Sequence, residues 1–295
     1  MKKLTFCVLI WAFLSSSALA QRSELGIFAG GAFYLGDLNP SGLFSQTQPA
    51  FGAVYRFNLT TRWALRANIL SGVVTADDAI SGTAERNLHF RSRVNEFSIQ
   101  AEINFLTYFT GSRNHRFSPF LFGGVGAFTF NPQARVPDLE NPLDRSGRWI
   151  DLAPLRTEGQ GALDGDFPDV YNTTQLVIPF GFGFKFSLNR TFALGMEWGM
   201  RLTFTDFLDD VSGFYVLAST LNANSGFAYS GMMADRSLNG PQIPGTQRGN
   251  SNARDWYSFA GITLTARIGS GPGQACPAMQ QRRADQIRRN YLRMR

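Results

Sequence analysis

Alternation of apolar and polar residues recurs along this chain and predicts β-strands. From Asn95 to Phe105 the chain reads NEFSIQAEINF, in which every second residue is apolar. A period of two residues is typical of a strand with two different faces, whereas an amphipathic helix repeats about every 3.6 residues. This stretch therefore predicts a strand with one apolar face and one polar face, the latter carrying Glu96 and Glu102.

Further stretches repeat the alternation, which makes eight candidate strands in all. The others are Glu24–Tyr34, Phe51–Leu59, Trp63–Ile69, Pro119–Phe130, Leu176–Leu188, Phe192–Phe204 and Tyr257–Ile268. The fifth in chain order keeps four phenylalanines in phase, namely Phe120, Phe122, Phe128 and Phe130. Apolar faces this regular and this aromatic indicate strands that turn one side to lipid, since the strands of a soluble sandwich seldom alternate so cleanly.

The connections between these strands alternate in length. Those after the second, fourth and sixth strands are short or moderate, whereas residues 137–173 and 213–254 are long and rich in Gly, Pro, Asn and Asp. Short turns on one side, long loops on the other and an even number of strands are typical of outer-membrane barrels. The sequence predicts an all-β fold, an eight-stranded antiparallel transmembrane β-barrel over residues 21–269, located in the outer membrane with both termini in the periplasm and the long loops extracellular.

The polar faces are predicted to line the barrel interior. Side chains fill an eight-stranded barrel, and buried charges persist only when they are paired and hydrogen-bonded. Charges of both signs fall on these faces, together with Glu24: Arg56, Arg66, Glu96, Glu102, Lys185, Glu197, Arg201 and Arg267. This density of opposite charges predicts a plug of ion pairs and no open pore.

The two ends of the chain differ from the strand region. Residues 1–20 combine two lysines, an apolar run and a small-residue end, which predicts a secretory signal peptide cut before Gln21. After Ala20 no stretch approaches the roughly 20 apolar residues of a membrane-spanning helix. The net charge of +6 is concentrated near the C-terminus, so it indicates a basic tail over residues 270–295 and no nucleic-acid-binding surface.

The tail holds candidate partner contacts. Ile287 and Tyr291 belong to an apolar row with helical spacing, and Arg288 and Arg289 lie beside it. This pattern fits a disordered basic end, a docking helix for a periplasmic partner, or a helix on anionic lipid headgroups. Removal of the signal peptide leaves Cys276 as the single cysteine, which is either a free thiol or a disulfide link to another chain.

Aspartates mark the predicted extracellular rim. TDFLDDVSG carries Asp206, Asp209 and Asp210, and YLGDLNP carries Asp37. Carboxylates are calcium ligands, but this spacing is not that of an EF-hand loop, and Asp side chains also anchor loops through hydrogen bonds. Loop anchoring is the simpler interpretation, and we expect no metal and no cofactor.

Catalytic motifs are not found. Neither G-x-S-x-G nor H-E-x-x-H occurs, and His89, the single histidine near the predicted outer rim, has no evident catalytic partner. We therefore expect a protein that is not an enzyme.

Several segments together resemble one family of Bacteroidota outer-membrane barrels. They are GGAFYLGDLNP (30–40), FGAVYRFNLTTRWALRANILSGVVTADD (51–78), EFSIQAEINF (96–105), SPFLFGGVGAFTFNPQA (118–134) and TFTDFLDDVSGFY (203–215). YLGDLNP and TDFLDDVSG are the most specific of these pieces. The family includes PorG, a component of the type IX secretion system.

The resemblance implies a non-enzymatic role in protein secretion. PorG-like proteins are thought to tie the outer membrane to a periplasmic ring built from the PorK lipoprotein and PorN. A PorK-like ring lipoprotein is accordingly the expected partner besides outer-membrane lipid, and Cys276 is the candidate residue for a disulfide to it. The alternative is a surface binding protein or adhesin that acts through the long loops 137–173 and 213–254.

Overall fold

A computed structural model describes residues 23–138, 144, 146–163, 165 and 167–268. The predicted signal peptide (1–20) and basic tail (270–295) lie outside the described residues, and so do the candidate contacts Cys276, Ile287, Arg288, Arg289 and Tyr291. Over the ranges described, every helix is too short or too polar to cross a bilayer.

Strands dominate the described chain. They are β1 (Ser23–Leu35), β2 (Gln48–Asn58), β3 (Trp63–Asp77), β4 (His89–Asn104), β5 (Phe117–Thr129), β6 (Pro132–Arg135), β7 (Trp149–Asp151), β8 (Thr174–Ser187), β9 (Phe192–Thr203) and β10 (Trp256–Ile268). The helical segments are short: α1 (Asp78–Ser81), the 3-10 turn η1 (Ala153–Leu155), α2 (Ala218–Ser225) and α3 (Ser230–Ala234).

Antiparallel pairing closes the long strands into a ring. The order around the ring is β1, β2, β3, β4, β5, β8, β9 and β10, and β10 pairs back onto β1 in a register that runs from Ser23↔Ile268 to Leu35↔Trp256. The short β6 and β7 form a hairpin that continues from β4 beyond the ring. The predicted closed, eight-stranded antiparallel barrel is confirmed.

The two faces of the wall have the polarity that a membrane barrel requires. Large apolar side chains stand outside, such as Phe97 with 51% of its surface exposed, while Glu96 and Glu102 on the same strand are buried inside. On β8 the outward apolar row from Leu176 to Phe186 covers about 24 Å across a membrane, given ~3.4 Å per residue and a ~45° tilt. This height matches the apolar band of outer-membrane barrels.

The phenylalanines of the fifth strand correct the sequence interpretation. Phe120, Phe122 and Phe128 are buried inside the barrel, whereas Leu121 and Val125 face outward. The Arg66 guanidinium lies 5.1 Å from the Phe122 ring centroid, and a Cβ at Gly199 would come within 2.6 Å of that ring. Aromatic rings on β5 therefore fill the interior where the next two strands of the ring, β8 and β9, carry glycine.

Two strands run farther than the alternation predicted. β3 continues past Ile69 to Asp77, and β4 begins at His89 rather than Asn95. Beyond the lipid-facing band the pattern inverts, because side chains that point inward, such as Val74 and Phe90, pack in an apolar core like that of a soluble protein. We call this end of the barrel the long-loop end and the opposite end the short-turn end.

Candidate functional site

Glu102 is the centre of an ion-pair network inside the barrel. Arg56 Nε lies 3.1 Å from one of its carboxylate oxygens, Arg66 Nη1 lies 3.6 Å from the same oxygen, and Lys185 Nζ contacts the other. All four side chains are buried. One carboxylate therefore neutralises cations that arrive from three different strands.

A second carboxylate extends this network towards the short-turn end. Glu24 accepts hydrogen bonds from Arg56 at 2.8 Å, from Thr110 at 2.6 Å and from Asn58 at 2.9 Å. The buried Glu24 carboxylate is thus saturated with donors, as a charge in this environment must be.

Further pairs cross the interior between distant strands. Arg66 on β3 donates to both oxygens of Glu197 on β9 at 2.9 Å. Arg201 on β9 donates to Glu96 on β4 at 3.0 Å, and the Tyr257 hydroxyl donates to the same carboxylate at 3.0 Å. The interior is therefore braced by charge-assisted hydrogen bonds as well as by the sheet itself.

Arg267 does not join the ion pairs of the described residues. Its Nη1 lies 3.4 Å from the Thr110 carbonyl oxygen, and its guanidinium lies 5.7 Å from the Phe109 ring centroid. The register places Arg267 near the end of β10, at the barrel mouth, which explains why it meets a turn instead of the lumen carboxylates.

The turn between β4 and β5 closes that mouth. We name residues 105–116 the mouth turn. Its Thr110 reaches Glu24 on β1, and Gly111 N donates to Ser187 Oγ on β8 at 2.8 Å. Gly111 has φ +92°, and a Cβ there would lie 2.9 Å from the Arg190 carbonyl, so glycine permits this close approach. The length of this turn was apparent in the sequence, but its path across the mouth was not.

At the long-loop end, a buried ion pair joins distant parts of the loops. Arg248 Nη1 donates to Glu158 at 2.7 Å and to the Asp210 carbonyl at 2.7 Å, and its Nε donates to the Ala234 carbonyl at 3.0 Å. Burial opposes the charge, but Glu158 and Asp210 raise the pKa of Arg248 above its usual range. Glu158 also accepts from the backbone of residues 212 and 213. Neither residue of this pair was predicted from the sequence as a site.

Three of the predicted rim aspartates hold loops together. Asp37 accepts from the Asn250 backbone at 2.8 Å. Asp209 accepts from the Val211 backbone at 2.9 Å, and Asp210 accepts from the hydroxyls of Thr157 and Tyr171 at 2.6 Å each. Burial raises the pKa of Asp210 to about 6.

Asp206 differs from these three. Neither of its carboxylate oxygens has a hydrogen-bond partner, since Ser212 lies beside it but outside hydrogen-bonding geometry. Burial, which removes water without supplying donors, raises the pKa of Asp206 to about 7. The anchoring predicted for Asp206 is thus not made. In the part of the chain that the structure describes, no group of three His, Cys, Asp or Glu side chains fits a metal ion.

The Tyr34 hydroxyl lies between two carboxyl groups where the loops meet β1. The Tyr34 hydroxyl lies 2.6 Å from Asp209 Oδ2 and 2.6 Å from Asp255 Oδ1. One hydroxyl hydrogen serves only one of these contacts, so the other requires a protonated carboxyl. Burial, followed by repulsion from neighbouring carboxylates, raises the pKa of both Asp209 and Asp255 well above the usual range. Asp255, which precedes β10, was not identified from the sequence.

A cavity of about 720 Å³ opens between the long loops. Phe167, Phe214 and Leu217 contribute apolar walls, and Glu158 lies at its polar side. Phe214 and Leu217 expose 57% and 54% of their surfaces. The long-loop end therefore presents an apolar concavity to solvent.

His89 has a structural environment. Its Nε2 accepts from the Arg135 backbone at 3.0 Å, and its carbonyl and Nδ1 contact the Arg236 guanidinium at 3.2 and 3.0 Å. Its ring lies 6.0 Å from that of Trp149. These contacts fix the histidine between loops at the rim.

The fold and the filled interior define a class, the outer-membrane-type β-barrel whose lumen is occupied by its own side chains. Residues 2–146 match a family described as a domain of unknown function, DUF6089. No curated protein matches the chain.

Solved barrels are similar over most of their length. The attachment invasion locus protein Ail of Yersinia pestis, in complex with the heparin analogue sucrose octasulfate, is 9% identical with a TM-score of 0.37, covering 83% of this chain and 97% of that one. Neisserial surface protein A is 7% identical with a TM-score of 0.39 and the same coverage. OprG of Pseudomonas aeruginosa is 9% identical with a TM-score of 0.34, covering 85% and 98%. These TM-scores are low, so the assignment of a barrel rests on the strand pairing of this chain.

Proposed function

We propose that the protein is a non-conducting outer-membrane component of the type IX secretion machinery, which anchors a periplasmic ring to the membrane. The observation that carries the non-conducting part is the mouth turn, which lies across the short-turn end and is bonded to Glu24 of the ion-pair network. The secretion role is supported by the resemblance of YLGDLNP and TDFLDDVSG to PorG-like barrels.

A filled barrel limits what the protein can contribute. An eight-stranded barrel is only wide enough for side chains, and here ion pairs cross it from wall to wall. Cargo therefore has no route through the lumen, and partners must be met at the two ends or on the outer wall. In this proposal the short-turn end faces the periplasm, where the tail with Ile287, Arg288, Arg289 and Tyr291 docks on a PorK-like lipoprotein and Cys276 is available for a disulfide to it.

Deletion of the gene tests the secretion role. We expect secreted cargo to accumulate in the periplasm, because the ring loses its membrane anchor. A variant that lacks residues 279–295 should insert and fold normally but recover less of the ring lipoprotein on co-purification. If the link is covalent, Cys276→Ser should remove a higher-mass band from non-reducing gels. Normal secretion after deletion would contradict the proposal.

Conductance measurements test the filled lumen separately. In planar bilayers we expect the native protein to show no channel steps of porin size, because the interior holds paired charges and the mouth turn. Tyr108→Ala with Thr110→Ala removes two buried side chains of that turn and should produce small steps. Porin-sized steps from the native protein would show that the lumen opens in a membrane.

A surface-binding role is the second candidate, favoured by the apolar cavity and by the exposed Phe214 and Leu217. This role predicts normal secretion after gene deletion and loss of partner binding after proteolytic shaving of the cell surface. The deletion experiment therefore separates the two functions.

A further inference from the structure

A row of polar side chains marks the upper limit of the lipid-facing surface on one side of the barrel. Ser71, Asn95 and Thr129 are aligned across β3, β4 and β5. Ser71 Oγ donates to Asn95 Oδ1 at 2.8 Å, and Asn95 Nδ2 lies 3.4 Å from Thr129 Oγ1. The next outward residues towards the membrane centre are Ile69 and Phe97, with 62% and 51% of their surfaces exposed. The hydrocarbon boundary therefore lies at this row.

Three arginines stand on the outer surface just beyond the boundary. Arg93 and Arg91 occupy the next two outward positions of β4, and Arg135 follows on β6, which pairs with β4 through Arg91↔Gln133. At ~3.4 Å per residue and a ~45° tilt, Arg93 lies about 5 Å and Arg91 about 10 Å above the row. The headgroup layer is roughly 5–7 Å thick on each side of the hydrocarbon, and long arginine side chains extend towards such a layer.

An aromatic ring gathers two of these arginines. The guanidinium carbons of Arg91 and Arg135 lie 4.0 and 4.7 Å from the Trp149 ring centroid. Trp149 pairs with Arg135 across the β6–β7 hairpin, and Arg91 Nε donates to Gln133 at 3.0 Å. Tryptophan is typical of membrane interfaces, and its ring holds planar guanidinium groups in place. We name Arg91, Arg93, Arg135 and Trp149 the rim arginine cluster.

Among the residues described, a carboxylate meets the cluster only indirectly, since Asp151 accepts from Gln133, to which Arg91 donates. No ion pair joins Arg91, Arg93 or Arg135 to a carboxylate there. Arg91 experiences repulsion from both other arginines. The exposed Asp144 is attracted by the charge of Arg135 but accepts hydrogen bonds from Ser146. An external anion would relieve this repulsion.

We propose that the rim arginine cluster binds the phosphate of an anionic lipid headgroup at the long-loop boundary of the membrane. Guanidinium groups form charge-assisted, bidentate hydrogen bonds with phosphate, and Arg93 lies at the depth of the headgroup layer with Arg91 and Arg135 on its outer side. Free phosphate has the same chemistry, but the position directly above exposed Ile69 and Phe97 favours a lipid as its carrier. The proposal goes beyond the secretion role and holds for either function considered above.

Native mass spectrometry of the full-length mature protein tests this assignment. The protein is exchanged into detergent that contains equal amounts of phosphatidylglycerol and phosphatidylcholine, and the retained lipid is counted. We expect the native protein to retain phosphatidylglycerol preferentially. In the variant Arg91→Gln/Arg93→Gln/Arg135→Gln this preference should fall about tenfold, because charge-assisted bonds to phosphate are strong. The lysine triple variant should keep part of the preference, since lysine binds phosphate as a point charge.

The control variant Arg113→Gln/Arg116→Gln/Arg190→Gln removes the same charge from exposed arginines at the short-turn end and should keep the preference. Heat-modifiable gel migration verifies that each variant is folded. The proposal is wrong if the rim triple variant keeps its preference, or if both triple variants lose it equally. Titration of the native protein with inorganic phosphate in lipid-free detergent separates the two sources, and binding of phosphate as strong as that of phosphatidylglycerol would overturn the lipid assignment.

Discussion

Glu102→Gln should lower the stability of the barrel by about 3–5 kcal/mol and reduce the folded fraction under ordinary refolding conditions. The substitution keeps the shape of the side chain but removes the charge that neutralises Arg56, Arg66 and Lys185. Removing one partner of a buried ion pair typically costs about 3–5 kcal/mol, and whole domains have only about 5–15 kcal/mol of stability. Refolding in detergent, followed by gel migration with and without heating, measures the folded fraction.

The design of this test separates the buried charge from a general effect of losing a glutamate. Glu85 is exposed in the connection between β3 and β4, so Glu85→Gln should refold like the native protein. Adding Lys185→Met to Glu102→Gln removes one of the unbalanced cations and should recover part of the folded fraction. Normal refolding of Glu102→Gln alone would show that the ion pairs contribute little to the stability of the barrel.

Arg248→Ala should open the long-loop end while the barrel remains closed. Arg248 connects Glu158, the Asp210 carbonyl and the Ala234 carbonyl, and no strand of the ring contains any of these residues. Loss of the buried cation leaves Glu158 charged without its ionic partner, at a cost of about 3–5 kcal/mol. Local unfolding of the loops is therefore expected, measured as rapid protease cleavage and faster amide hydrogen exchange in residues 153–173 and 204–248, with the strands of the ring unchanged.

Arg254→Ala is the matched control for the loop experiment. Arg254 is exposed, lies in the same connection before β10 and contacts only the Phe204 ring, 5.4 Å from its centroid, among the contacts of the described residues. Its replacement should leave the cleavage pattern unchanged. Equal cleavage of Arg248→Ala and native protein would mean that the loops are held by other contacts, such as those of Asp37 and Asp210.

The barrel could be predicted from the alternation of apolar and polar residues, because lipid and lumen impose opposite polarity on successive residues of a strand. The stretch from Asn95 to Phe105 carries this requirement at every position, and Glu96 and Glu102 therefore fall inside as predicted. The pairing of charges followed from the same reasoning, since buried charges need partners. Which residues pair, such as Arg66 with Glu197 across the lumen, depends on the closed three-dimensional ring and not on spacing along the chain.

The errors arose where this polarity rule no longer applies. Phe120 and Phe122 are apolar yet point inward, because glycines on the adjacent strands β8 and β9 leave room for aromatic rings. Thr110 donates to Glu24 inside the barrel mouth, which the local sequence of its turn does not indicate. Glu158 pairs with Arg248 from a distant part of the chain. Such contacts join segments that local patterns treat as independent.

The seam between β1 and β10 has a consequence for biogenesis. The second neighbour of β1 is β10, Trp256–Ile268, so the ring cannot close until β10 is available to pair with β1. Until then β1 and β9 each present an unpaired edge, which is a template for aggregation with other chains. Assembly must therefore be post-translocational and shielded, and a product truncated ahead of residue 256 would be a substrate for proteolysis instead of a smaller barrel.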